Sequence, residues 1–282
     1  MARRGDSVIG IDLGKHAFKA VSLRRKSDSR FVLTGFASRE VPEQFENADQ
    51  LAQELKHLMK EAGGGAKACV AAISDPACLL RIVEQPTTPV ELLRSALRLN
   101  GLLVLNQECK DFVLDIAPVA SNTRSETEPA ESSGNVAVAT TTKYLVGGML
   151  RPAVKLVSEA IAKTRVPAEI LQLAPICSFN AFEFAYPQVF NEEAFLLLDM
   201  GHLQSTVLVG SKAELVLVRS IDYGGKALTH ALTADGALDE NAAWRMIQEG
   251  DGGMAEICHT SLARLATEVR NSIGFFEGQR VQ

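Results

Sequence analysis

The sequence predicts an α/β protein of two lobes, and three observations predict it. Its 282 residues exceed what one hydrophobic core usually organises. An apolar strand ending in Asp-x-Gly occurs near the N-terminus and recurs near residue 199, each time with two strand-like segments after it. After each such meander the apolar spacing switches from alternation to helical periodicity.

Taken in order, Val8–Leu13 reads as an apolar strand, with Lys19–Leu23 and Phe31–Phe36 as its successors. Asp49–Ala62 reads as a helix, because Leu51, Leu55, Leu58 and Met59 share a face and Gly63-Gly64-Gly65 ends it. Cys69–Ile73 and Leu79–Val83 are strands. Thr88-Pro89-Val90-Glu91 predicts a helix start with Thr88 as cap, Pro89 in the first position and Glu91 closing a capping box; the helix runs to about Asn100. Phe112–Ala117 and Asn135–Ala139 read as strands around a Ser/Thr/Glu/Gly loop at Ser121–Gly134. Pro152–Thr164 is helical, and Ala168–Tyr186 is expected to be mostly helical, bent at Pro175. The pattern then restarts with strands at Phe195–Met200, Thr206–Val209 and Glu214–Ile221, helices near Lys226–Thr233 and Asp239–Gln248, and a long amphipathic helix at Glu256–Phe276.

Composition excludes several functions. Apolar residues make up 46% and charged residues 22%, as in ordinary globular chains, and the formal charge is −5. Arg3, Arg4 and the run Arg24-Arg25-Lys26 are too short for a nucleic-acid footprint, so no nucleic-acid partner is expected. The longest apolar runs fall far short of the roughly 18 residues needed to span a bilayer, and Asp12 interrupts any signal-peptide core. The five cysteines form no CxxC pair and read as reduced thiols, which places the chain in the cytoplasm.

The repeat carries the chemistry. Ile9-Gly10-Ile11-Asp12-Leu13-Gly14 is matched by Leu196-Leu197-Leu198-Asp199-Met200-Gly201. Seven positions after each Asp stands a polar residue, Lys19 or Thr206; nine after stands an apolar one, Val21 or Leu208. Gly14 and Gly201 lack a Cβ, so their turns can bring backbone N–H groups close to phosphate oxygens. Asp12 and Asp199 would project carboxylates into a shared cleft, where a water-bound Mg²⁺ could bridge them to the phosphates. Other constellations fail. Asp199, His202 and Ser205 are too crowded within one turn to form a hydrolase triad. Gly63–Gly65 is followed by no GKS or GKT. Gly250–Gly253 reads as an interhelical loop, Trp244 and Met246 as helix packing, and His57 as surface.

The duplicated hairpin resembles the phosphate-binding hairpins of the actin and sugar-kinase superfamily. Within it, the chain resembles the PilM family of type IV pilus assembly proteins, which are related to FtsA. The matching segments are GIDLGKHAFKAVSL, LLRIVEQPTTPVELLRSALRLN, KYLVGGMLRPAVKLVSEAIAKTRVPAEILQLAP, FLLLDMGHLQSTVLVGSKAELVLVRSIDYGGKALTHAL and EVRNSIGFF. The resemblance implies an actin-like (ribonuclease H-like duplicated) fold: lobe 1 at 1–191, interrupted by a small α/β insertion at about 84–151, and lobe 2 at 192–282. It implies ATP and Mg as ligands, held by Asp12, Gly14, Lys15, Lys19, Asp199, Gly201, Thr206, Gly224 and Gly225, with Asp12 and Asp199 reaching the metal through water. It further implies a scaffold, at most a weak ATPase, that binds the N-terminal tail of a PilN-like inner-membrane protein. That partner alone would bring it to the membrane; the tail's expected site is Leu80–Leu105 with Phe112–Ala117. Self-association stays open.

The chain departs from the family pattern at three places. Lys15-His16 replaces a small Ser-rich turn, His202 replaces a small residue, and no adenosine-binding strand and Gly-Gly turn follow the last helix, so weak nucleotide affinity is expected. The alternative is a small-molecule or sugar kinase of the same superfamily. It is disfavoured because Gln172–Asn180 offers no carboxylate base. A filament-forming FtsA-like protein would normally carry a C-terminal amphipathic anchor.

Overall fold

The computed structural model describes residues 7–27, 30–42, 44–119, 141–234, 236–250 and 255–280. The loop expected at Ser121–Gly134 and the strand expected at Asn135–Ala139 lie outside them, as do residues 251–253 of the expected interhelical loop.

Three sheets organise the chain. The first runs in the order β3-β2-β1-β4-β8, from β1 (Ser7–Leu13), β2 (Ala17–Ser27), β3 (Arg30–Glu40), β4 (Ala68–Ile73) and β8 (Ala168–Leu173). β1 pairs antiparallel with β2 and parallel with β4. A parallel neighbour requires a crossover, supplied by helix α1 (Ala48–Glu61). Asn47 caps α1 by accepting from the amides of Asp49 and Gln50. Its apolar face, Leu51, Leu55, Leu58 and Met59, is buried together with Val157, Ala160 and Ile161 of α3 (Arg151–Ala162).

Between β4 and β8 the chain builds a separate antiparallel sheet, β5-β7-β6, from β5 (Leu79–Pro86), β6 (Phe112–Pro118) and β7 (Thr141–Leu150). Helix α2 (Val90–Leu105) covers one face, burying Leu93, Leu97 and Leu105 against Phe112, Leu114, Ile116 and Tyr144. After α4 (Ala174–Ala185) and α5 (Pro187–Glu192), the third sheet takes the order β11-β10-β9. It comprises β9 (Ala194–Met200), β10 (Ser205–Ser211) and β11 (Glu214–Ile221). Then come α6 (Gly225–Thr233), α7 (Glu240–Glu249) and α8 (Ala255–Arg280). Leu265 and Phe276 of α8 pack on Val207, Val209 and Ile221.

Two local expectations are corrected. Ala168–Leu173 is a strand, because parallel pairing with β4 overrides the helix propensity of its Ala, Glu, Leu and Gln residues. Pro175 accordingly begins α4 within its first turn and bends nothing. The capping box at Thr88 does not form: the N-cap is Pro89 without a side-chain bond, Thr88 Oγ1 donates to the Pro86 carbonyl, and Glu91 pairs with Arg94. Helix α2 also continues past Asn100, which kinks it with non-helical angles.

Leu58 has no exposed surface and sits where α1 meets the first sheet. Leu58→Ala is expected to cost about 2–5 kcal/mol by chemical denaturation, the range for a truncated, fully buried leucine.

Candidate ligand cleft

The two Asp-x-Gly hairpins have one register. In the first, Asp12 faces Lys19 across the ladder and Leu13 faces Phe18. In the second, Asp199 faces Thr206 and Met200 faces Ser205. The polar residue seven positions after each Asp is therefore its direct cross-strand partner, which gives the repeated spacing a geometric cause. Each turn also depends on its glycine in the same way. A Cβ on Gly14 would stand 2.7 Å from the Ala17 carbonyl oxygen, and one on Gly201 would stand 2.8 Å from that of Gln204.

Both hairpins open into one cleft of about 650 Å³. Asp12, Gly14, Lys15 and Lys19 line it from one side and Asp199, Gly201, Thr206 and Gly225 from the other. Gly224 is the predicted site residue that does not line it. Gly224 instead packs beneath the second turn, where a Cβ would lie 2.4 Å from the His202 carbonyl oxygen and 2.6 Å from that of Gly201. With that close approach, the amides of Gly225 and Lys226 donate to the carbonyls of Gly201 and His202. The first amides of α6 are thus spent on fixing the second hairpin turn.

Charge in the cleft is arranged around Asp12. Its Oδ1 is enclosed and has no hydrogen-bond partner among the described residues, while Oδ2 reaches solvent and lies 3.6 Å from Lys19 Nζ. Burial raises the Asp12 pKa above the ordinary 3.8, with Lys19 opposing and the charge of Asp199 adding to the rise. The Asp199 carboxylate accepts from Ser178 Oγ at 3.4 Å, so α4 meets the cleft through Cys177 and Ser178.

Four side chains in the cleft have roles that composition and spacing do not disclose. Lys15 forms an ion pair of 2.6 Å with Asp75, in the turn after β4. His16 stacks on His202 with centroids 4.8 Å apart and on Trp244 of α7 at 4.7 Å; His202 and Trp244 are 5.6 Å apart. Trp244 therefore faces the cleft as well as packing on Gly225 of α6, and Met246 packs against Leu232 and Ala243. The clue available in the sequence was the bulk at both turns; the Trp244 contact has no local signal.

No protein-family model matches the chain, and no curated protein sequence aligns with it significantly. Solved structures do match. A chain of a PilM–PilN type IV pilus biogenesis complex superposes with a TM-score of 0.80 at 24% identity, covering 98% of this chain and 79% of that one. The ethanolamine utilization protein EutJ of Carboxydothermus hydrogenoformans superposes with a TM-score of 0.56 at 10% identity, covering 97% and 74%. The chain has the actin-like, two-lobed α/β fold and resembles PilM in it.

Two measurements check the cleft. Asp12→Asn removes a carboxylate whose ionised form is disfavoured by folding. A raised carboxylate pKa lowers stability as pH climbs through the raised value. The variant should therefore be more stable than wild type at neutral pH, and the gain should vanish in urea unfolding below the ordinary value of 3.8. Gly224→Ala should destabilise by about 1–3 kcal/mol, the cost of overpacking against atoms that cannot move aside, with hydrogen-exchange protection lost first at the Gly225 and Lys226 amides.

Proposed function

We propose that this chain is a PilM-like scaffold that captures the N-terminal cytoplasmic tail of a PilN-like inner-membrane protein, with Mg-ATP as a ligand or switch in the cleft. The single observation that carries the reading is the superposition over 98% of the chain on a PilM–PilN complex. Among the described residues no helix is long and apolar enough to cross a membrane, so membrane recruitment falls to the partner.

The insertion offers the surface for an extended tail. β6 is an edge strand, so one row of its backbone donors and acceptors is open to strand addition. Alternate outward residues such as Val113, and the exposed Leu99 and Leu103 of α2, supply apolar contacts nearby. These lie within the segments expected to hold the tail, Leu80–Leu105 and Phe112–Ala117. The body expected for lobe 1 spans 1–191 with the insertion at about 84–151, and lobe 2 spans 192–282.

The cleft fits a magnesium nucleotide in its phosphate half. Among the described residues no group of three or more ligating side chains converges, which suits a cation held by two carboxylates, waters and the phosphates themselves. Asp12 and Asp199 would hold its waters, and the enclosed Asp12 Oδ1 supplies an acceptor that the protein leaves unused. Lys19 and Thr206 stand opposite the two carboxylates as phosphate contacts, and Gly14 and Gly201 open the turns. When bound, the ion neutralises phosphate charge. The segment of α4 that lines the cleft carries no carboxylate to act as an acceptor base, which supports a scaffold over a kinase.

Calorimetry with a synthetic peptide from the N-terminus of the cognate single-span protein should show micromolar or tighter binding; an absence of heat with every such tail would count against the scaffold. Asp12→Ala or Asp199→Ala should weaken Mg-ATP binding and leave peptide capture intact, whereas loss of both together would argue against separate sites.

A further inference from the structure

Three rings meet inside the cleft, and they come from both of its walls. His16 belongs to the turn between β1 and β2, His202 to the turn between β9 and β10, and Trp244 to α7. All three pairs lie within 5.6 Å, with interplanar angles of 17° to 26°. Lobe 1 contributes His16 to the stack, and other contacts between the lobes include Ser178 with Asp199 and Lys143 with Glu214. Glu40 Oε1 stands 3.8 Å from His16 Nε2 on the same lobe.

The rings occupy the ground between the two Asp-x-Gly turns. Trp244 packs with its ring edge against the first residue of α6: a Cβ on Gly225 would come within 2.5 Å of it. The stack thereby packs on the first residue of α6 and lines the same cleft as the carboxylates of Asp12 and Asp199. The closed arrangement is imperfectly satisfied. The Trp244 indole N–H is enclosed without a hydrogen-bond partner among the described residues, and so is Asp12 Oδ1. An enclosed donor and an enclosed acceptor on the two walls of one cleft both gain partners when the cleft parts.

We propose that the His16–His202–Trp244 stack is a latch that holds the two lobes closed, and that His16 must withdraw from it before a polyphosphate can reach the hairpins. The second half rests on the nucleotide reading above; the first does not. Stacking supplies the closing force, because aromatic pairs at these separations add attraction beyond the area they bury. His16 belongs to the same turn as Gly14, so its ring stands beside the backbone that a phosphate would approach.

Trp244 is the chain's single tryptophan, so its fluorescence reports the latch directly. His16→Ala, without ligand, should red-shift the emission maximum and enlarge the radius of gyration measured by small-angle scattering. His16→Phe, which keeps a ring in place, should retain the wild-type maximum and radius; this separates unlatching from misfolding. Mg-ATP added to wild type should reproduce the red shift, and calorimetry should show several-fold tighter binding to His16→Ala. An unchanged maximum and radius in His16→Ala would overturn the latch. So would calorimetric binding of Mg-ATP to wild type with no change in emission. Should His16→Ala unlatch as expected while neither protein binds Mg-ATP, the latch would stand and the nucleotide reading would fall.

Discussion

The structure hangs on one constraint: in each Asp-x-Gly hairpin the carbonyl three positions after the glycine rests where a Cβ would stand, so the turn accepts only a bare Cα. Gly14 against Ala17 and Gly201 against Gln204 both meet it, within 0.1 Å of each other. Once the turns are fixed, the ladder register follows, and with it the pairing of Asp12 with Lys19 and Asp199 with Thr206. Side chains alternate across a strand, so both carboxylates must then point to the same side of their sheets. The cleft is the meeting of those two sides.

This is why so much could be read from the residues. The strand–turn–strand signal is local, and its elements fall where the spacing puts them: Glu214–Ile221 coincides with β11, and Asp49–Ala62 differs from α1 by one residue at each end. What escaped reading depends on contacts distant in sequence. Ala168–Leu173 has the composition of a helix and becomes a strand only because β4 offers a parallel edge. The Asn47 cap was hidden because the apolar stripe announces a helix without its end. In the cleft, seven of the nine expected residues belong to the two hairpins and line it together, and Gly225, expected from the family resemblance, joins them. Gly224 turned out to buttress the turn instead, a role fixed by carbonyls more than twenty positions earlier.

The two halves of the repeat are alike at their turns and unlike at their flanks. β1 has a neighbour on each side, β2 and β4, and forms the middle of five strands. Among the described residues β9, its counterpart, pairs only with β10 and forms an edge. Leu198 and Met200 on β9 are exposed, and a groove lined by Ala194, Leu196 and Ile273 runs between β9 and the end of α8. An unprotected apolar edge is ordinarily blunted by charge, proline or a bulge. The ladder of β9 with β10 is regular over its whole length, with no proline or bulge, and Asp199 is the one charge on the strand.

Lobe 2 thus has less sheet with which to hold its hairpin, and its turn is fixed by other means. The amides of α6 grip the carbonyls of Gly201 and His202 from below, and Ser205 Oγ donates to the Tyr223 carbonyl to hold the strand to the segment that leads into α6. A turn fixed this way has spent the helix-end donors that would otherwise attract an anion. On the nucleotide reading proposed above, attraction for phosphate would come from the rest of the cleft: Lys19, the backbone of the turns, and a cation between Asp12 and Asp199. Burial raises the Asp12 pKa, and the charge of Asp199 across the cleft adds to the rise. A divalent cation would oppose that rise, so in this cleft metal and phosphate should each favour the other's binding more strongly than either favours binding alone.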